Sequence, residues 1–461
     1  MYKIENRMYD MKRVLALMMV ATALLLSCAK NTTQPQGGNG DIVDHSEPVK
    51  QDLFNTSNGD GEVPPYRILG MAVAKNGDII ATVARLVCGT DPGYGRNDIV
   101  CRISTDNGKS WGNEIEVAIG TGETSAVENY FDTAFGDPAI VADRTSDEVL
   151  IMAVAGCTVY GNGNTTRQNP NLIAAIRSTD NGRTWSEPEN ITEQIYSLFD
   201  SAHPMQAAFV SGGNIFQSRT VKKGDYYRLY VALCARPNGN RVIYSDDFGR
   251  TWQPLGGAEA LPITNGDEAK CEEMPNGNIL LSSRTKGGRL YNIFAYSDTA
   301  TGEGSWGTSV MSTFDGAGHA MGSNATNGDI LIVPVVRNSD KKEIHLLLQS
   351  VPTANSRAEV GIYYKELEGE DDYNEVDRLK SGWDGFHAVS NTDSAYSSLI
   401  LQRNKRVAIF YEETLTGFGK RKNPVSTSFP NGEGEHNFDG FDNIYVSYTV
   451  EQMTFGDYSI R

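Results

Sequence analysis

The chain has 461 residues, 58 acidic against 41 basic, for a formal charge of −17; that balance argues against a nucleic-acid partner. Its 47 glycines and 21 tyrosines suit a turn-rich β protein. Six cysteines with no Cys-x-x-Cys or His-x-x-x-His spacing argue against a zinc site.

The first predicted element is an export signal over residues 1–28. Met11-Lys12-Arg13 is a basic start, Val14 to Leu26 is an apolar run, and Leu25-Leu26-Ser27-Cys28 has the form of a lipobox; Met8 or Met11 is an alternative start. The run is too short and wrongly flanked for a transmembrane helix. With a lipobox, Cys28 carries the lipid, and the mature protein is expected on the bacterial cell envelope (outer membrane or periplasmic face), touching the membrane only through that anchor. An ordinary cleaved signal, giving a secreted protein, is the alternative. Residues 29–60, rich in Asn, Thr, Gln, Gly, Asp and Pro, read as a flexible linker. The remaining cysteines are Cys88, Cys101, Cys157, Cys234 and Cys271, an odd number that leaves at least one thiol unpaired. Most read as core residues, with a Cys88–Cys101 link left open.

From residue 61 onward, turn residues followed by a strand-like run recur. They begin at Asn76-Gly77, Asp147, Gly224, Asn276-Gly277, Asn327-Gly328 and Asn404-Lys405, each a hairpin signal. Their mean spacing, roughly 66 residues, is that of four strands and their loops. Interleaved with them, an octet occurs three times directly after an apolar run: Ser104-x-Asp106-x-Gly108-x-x-Trp111, Ser178-x-Asp180-x-Gly182-x-x-Trp185 and Ser245-x-Asp247-x-Gly249-x-x-Trp252. A stretched version runs from Ser297 to Trp306. Asp accepting nearby N–H groups, Gly at positive φ and Trp packing beneath describe a turn, not a reaction centre. The expected fold is all-β, one six-bladed β-propeller over residues 61–461, with no room for an added domain. A monomer is expected.

Aligned on those turns, Arg67 and Asp137 lie ten residues before Gly77 and Asp147, while Glu268 and Tyr396 lie nine before Gly277 and Lys405. These four fall at one height on the first, innermost strand of four blades. Arg85, Arg284 and Glu412 lie seven or eight residues beyond the turn, again in phase. Polar residues at matched inner positions imply a shared cavity.

The octet resembles the Asp box of sialidases and related propellers, where it sits on the outer rim. Tyr66-Arg67-Ile68-Leu69 resembles the sialidase Tyr/Phe-Arg-Ile-Pro motif, with Leu69 in place of Pro. The Glu268-to-Arg284 segment has the family's spacing of sixteen. Arg357, in Ser-Arg-Ala-Glu-Val-Gly-Ile, matches the third arginine, and Ser394-Ala-Tyr396 resembles the motif around the catalytic tyrosine. The resemblance is to the bacterial exo-sialidase family, and it implies a retaining exo-α-sialidase acting on sialylated glycans without cofactor or metal. Guanidinium groups suit a planar carboxylate, so Arg67, Arg284 and Arg357 would grip the sialic acid carboxylate. A neutral phenol approaches an anionic sugar without charge repulsion, provided a base takes its proton. Tyr396 would be that nucleophile and Glu268 its base, and the tyrosine role is itself implied by the resemblance. Asp91 would be the general acid, with Asp98 as rival; Asp98 opens a strand-like run, where a structural role suits it better. Asp137, in Phe-Gly-Asp-Pro, resembles the residue that contacts a substrate hydroxyl, with turn capping as the alternative. Arg85 and Glu412 are further candidate site-lining residues. Two rival readings remain: a non-catalytic surface glycan-binding propeller, and a trans-sialidase of the same fold.

Overall fold

A computed structural model describes residues 43–56, 64–125, 128–414 and 441–461, with the backbone of Arg421–Pro424 and Glu435–Phe438. The export signal and Cys28 lie outside the described residues. Six sheets, each built on an antiparallel meander, are arranged as the blades of a propeller; in blade 2 the short strand Gly213–Asn214 adds parallel to Phe135–Ala142. Blade 1 comprises Tyr66–Val73, Ile79–Arg85, Asp98–Ser104 and Ile115–Ala118, in that order from the axis outward. Blade 2 follows with Phe135–Ala142, Val149–Ala155, Leu172–Ser178 and Glu189–Asn190. Blade 3 is built on Ala207–Val210, Tyr226–Arg236, Gly239–Ser245 and Gln253–Pro254, and blade 4 on Ala269–Glu273, Ile279–Thr285, Gly288–Asp298 and Glu303–Trp306. Blade 5 runs Asp329–Arg337, Glu343–Pro352, Val360–Leu367 and Gly385–Ala388.

Blade 6 mixes both ends of the chain. Ser394–Leu401, Val407–Glu413 and Asp442–Tyr448 are completed by Gln51–Phe54 as the outermost strand. The sequence placed these four residues in a linker ending at 60; instead they belong to the propeller. Leu53 and Phe54 are buried, and Arg406 donates to the carbonyl oxygens of Asp44 and Ser46 just upstream. Two apolar side chains after a polar stretch are too weak a pattern to announce a strand.

Inner strands such as Val149–Ala155 are buried throughout, because each blade packs on a neighbour through both faces. The turn expected at Asn327-Gly328 is not a hairpin. It leads into the first strand of blade 5, and the hairpin follows at Arg337–Lys342, with Lys341 at φ 61°. A Gly-containing turn marks a reversal but not which pair of strands it joins.

All three octets close the turn between third and fourth strands. In each, the Ser Oγ accepts the Gly N–H at 2.7–2.9 Å and donates to the Asp at 2.8 Å, while the hydroxyl of Ser110, Thr184 or Thr251 donates to the other Asp oxygen at 2.6 Å. Each box also grips the preceding blade. Arg183 donates to Asp78 of blade 1, and Arg250 to Glu148 of blade 2 at 2.6 Å. The stretched version between Ser297 and Trp306 is a plain hairpin between the outer strands of blade 4. All five cysteines among the described residues are free, so Cys88 and Cys101 are not linked. Cys101 sits mid-strand, buried in the core that blade 1 shares with blade 2, whereas Cys88 lies in the loop after the second strand.

Candidate active site

The starts of the first strands and the loops between second and third strands meet at one end of the axis, opposite the Asp boxes. There they enclose a cavity of about 500 Å³ lined by Arg67, Asp91, Asp137, Glu268, Arg284, Arg357 and Tyr396, within the range of small-ligand sites.

Backbone irregularity aims several of these side chains. The first strands of blades 1, 2 and 6 each slip register at their mouth ends, between Arg67 and Leu69, Gly136 and Ala139, and Ser394 and Ser397. Ile68 and Asp137 take φ of 54° and 52°, costly conformations for non-glycine residues. Bulges of this kind re-aim a side chain at the rim of a sheet. Here they accompany Arg67, Asp137 and Tyr396. Asp91 comes instead from the loop after the second strand of blade 1, fastened by Asn97 donating to Thr90 O at 2.8 Å. Pro92 of that loop seats so closely on Gly136 that a Cβ there would lie 2.6 Å from its ring.

Tyr396 Oη donates to Glu268 Oε1 at 2.6 Å. Arg284 Nη1 donates to Glu268 Oε2 at 2.6 Å and to Tyr396 Oη at 3.3 Å. The guanidinium groups of Arg67 and Arg357 each lie 5.6 Å from the centre of the Tyr396 ring. All three arginines therefore converge on one phenol, whose proton already points at a carboxylate. Burial, and then the charge of Glu268, push the Tyr396 hydroxyl well above its ordinary pKa, while Arg284 and Arg357 pull the other way. The phenol is neutral at rest. Asp137 is held well above the carboxylate range by burial first, then by Asp91 and Glu268; its Oδ1 is buried without a hydrogen-bond partner.

Glu412 does not line the cavity. It lies beneath Arg67, accepting from Nε at 2.7 Å and Nη2 at 3.0 Å, and also takes the backbone N–H of Ile68 at 2.9 Å and of Tyr396 at 3.2 Å. Burial opposes its ionisation, but Arg67 and the two N–H groups outweigh that and hold its pKa below the usual value. Its place is that of a clamp tying two bulged strands together. Arg85 is a correction. It opposes Tyr66 in the ladder whereas Arg67 opposes Ala84, so one residue of register turns it to the other face. There it pairs with Asp98 at 2.7 Å and Glu114 at 2.8 Å. Asp98 is fully buried in the same cluster, accepting from Arg96 at 3.0 Å and Gly120 N–H at 3.0 Å, and it is absent from the cavity wall.

The cavity also carries residues that sequence phase did not bring forward. Tyr94, Tyr160, Phe209 and Asp267 line its flank, and Tyr160 packs edge-on against Phe209 at 4.7 Å. Tyr94 and Tyr160 sit in loops between second and third strands, where no repeat register exists to align. Asp267 directly precedes Glu268 and was legible only as part of that motif.

Residues 88–409 match the family described as the BNR repeat-like domain. The chain belongs to that family. Among curated relatives, this BNR repeat-like propeller is 31% identical over 259 residues to a sialidase of Micromonospora viridifaciens, covering 54% of this chain and 37% of that protein. It is 26% identical over 245 residues to a sialidase of Bacteroides fragilis (strain YCH46), covering 50% and 41%. The chain thus spans less than half the length of either. Among solved structures it resembles a leech intramolecular trans-sialidase complexed with 2,7-anhydro-Neu5Ac, with a TM-score of 0.64 and 16% identity over 88% of this chain and 71% of that one. At that identity the likeness speaks for the BNR propeller fold alone.

Proposed function

We propose that this BNR propeller is an exo-α-sialidase, a glycoside hydrolase that removes terminal sialic acids from glycoconjugates with retention of configuration. The observation that carries the reading is the 2.6 Å bond from Tyr396 Oη to Glu268 Oε1 inside a triad of arginines. The similarity to curated sialidases supports it.

In this reading Arg67, Arg284 and Arg357 hold the substrate carboxylate. Its arrival gives Arg284 an anionic partner besides Glu268 and Asp267 and lowers the electrostatic cost of a charged site. Glu268 takes the phenolic proton as Tyr396 Oη bonds to the anomeric carbon, and Asp91 gives its proton to the departing glycosidic oxygen. In the second half Asp91 takes a proton from water, the water oxygen bonds to the anomeric carbon, and the tyrosyl oxygen leaves and recovers its proton from Glu268. Asp137, with a buried Oδ1 lacking a partner, bonds a sugar hydroxyl. Attachment through Cys28 would present this mouth at the bacterial cell envelope.

Release of umbelliferone from 4-methylumbelliferyl α-sialoside, followed by proton NMR of the sugar, tests the reading. Umbelliferone release with the α-anomer as first product is expected. Retained glycan binding with no release would make the chain a glycan-binding propeller. A sugar without an oxygen from solvent would make it a transferase.

A further inference from the structure

Directly after the first strand of blade 3, the chain crosses the axis as a short strap, Ser211–Asn214. The strap is tied to every other blade. Gly213 and Asn214 pair with Ala139 and Ile140 of blade 2. Asn214 accepts from Met71 N–H of blade 1 at 3.4 Å, and donates to Asp329 of blade 5 at 2.9 Å and to Leu399 O of blade 6 at 2.7 Å. On blade 4, Ala269 N–H donates to Ser211 Oγ at 2.9 Å and Lys270 Nζ to Ser211 O at 2.9 Å. Asn327 donates to Gly212 O at 3.0 Å. A segment bonded on so many sides is a fixed floor, not a mobile loop.

Gly212 is where this floor meets the mouth. A Cβ there would overlap Ile68 Cγ2, and the next atoms it would meet are Asp137 C and Pro138 O, both at 3.5 Å, an ordinary contact. Both strained residues of the mouth, Ile68 and Asp137, therefore border the same glycine. Ile68 has little freedom to step aside. Its γ2 methyl sits on a branched Cβ with a stiff χ1, its φ is held at 54°, and its N–H is bonded to Glu412 at 2.9 Å. It is buried in one cluster with Ala395, Tyr396 and Phe441, and it directly follows Arg67.

We propose that Gly212 is a positioning residue of the reaction: its bare backbone seats the bulges at Ile68 and Asp137, and through Ile68 it sets Arg67 and Tyr396. This rests on the sialidase reading above and adds to it what holds the strained mouth in shape. A methyl group at 212 would press Ile68 into the cluster that holds Tyr396, because the strap is tied on its other sides and the interior is close-packed.

The test is a double-mutant cycle of Gly212→Ala and Ile68→Ala. It is read as kcat/KM for 4-methylumbelliferyl α-sialoside, with circular dichroism and Tm as controls for folding. Gly212→Ala should lower kcat/KM by about 10²-fold, the effect of misplacing reacting groups by roughly 1 Å. Ile68→Ala leaves a gap where the overlap would be, and should cost less. In the pair, the new methyl group fills that gap, and kcat/KM should recover about tenfold or more over Gly212→Ala alone. A folded Gly212→Ala with near-wild-type kcat/KM overturns the inference. So does a pair no better than Gly212→Ala, because the disturbance then does not pass through Ile68. Should Gly212→Ala not fold, Ile68→Ala decides: reduced activity that the pair restores supports the inference, while wild-type activity or no restoration overturns it. A wild-type protein without turnover would instead count against the sialidase reading itself.

Discussion

Two sets of aspartates sit at opposite ends of the same blades and are treated in opposite ways. At the outer turns, Asp106, Asp180 and Asp247 each accept backbone N–H groups and two hydroxyls. Burial works against them, but these bonds prevail and their pKa values lie below 3.8. At the axial mouth, Asp137 is buried at a positive φ, carries an oxygen without a partner and has its pKa raised. A fully satisfied carboxylate is a fastener. An unsatisfied one, kept in a strained bulge, stores a bond for something not yet bound. The fold places its regular, repeated aspartates where blades need stapling and its irregular one where a ligand would sit.

The sharpest way to break that contrast is at the mouth. Tyr396→Phe removes the oxygen proposed to bond to the sugar while leaving its neighbours in place, so kcat should fall by about 10³-fold or more with sialoside binding largely kept. Near-wild-type turnover in steady-state assays would remove the tyrosine from the mechanism. Arg357→Ala takes away one charge-assisted pair to the substrate carboxylate, worth about 2 kcal/mol, and should raise KM roughly 30-fold with a smaller effect on kcat. An unchanged KM would place the third arginine outside the carboxylate site.

At the other end the expected effects are smaller and differ in kind. Asp180→Ala should lower Tm by a few degrees, on the order of 1–2 kcal/mol, through lost turn bonds and leave kcat/KM within about twofold. A large loss of activity without loss of stability would contradict the separation of the two ends. The finest test is the sign of the pH dependence. The box aspartates, with lowered folded-state pKa, give stability that is present above 3.8 and lost as pH falls through the folded-state value. Asp137, with a raised one, gives stability that is full below 3.8 and lost as pH rises through its folded-state value. Tm measured from pH 3 to 8 should therefore show Asp137→Asn gaining on wild type as pH rises, and Asp180→Ala losing ground.

The repeat made much of this legible beforehand. Octets and turn spacing announced the propeller, and phase on the first strand brought Arg67, Asp137, Glu268 and Tyr396 to one mouth. Phase failed where a single residue decides the face. Arg85 shares its height with Arg284, yet its side chain turns to Asp98 and Glu114 because Tyr66, not Arg67, is its ladder partner. The bulges at Ile68 and Asp137 carry no composition signal, since the residues that occupy them are not glycine. Gln51–Phe54 was hidden in polar surroundings because its pairing partner lies some 390 residues away.

The most direct measurement is a covalent trap. Incubation with a 3-fluoro sialosyl fluoride, whose fluorine slows the second half-reaction, followed by peptide mass spectrometry, locates whichever oxygen bonds to the anomeric carbon. The account predicts one sialosyl adduct, on the peptide containing Tyr396, lost in Tyr396→Phe. An adduct on Glu268 or Asp91, or steady turnover with no adduct at Tyr396, would contradict it.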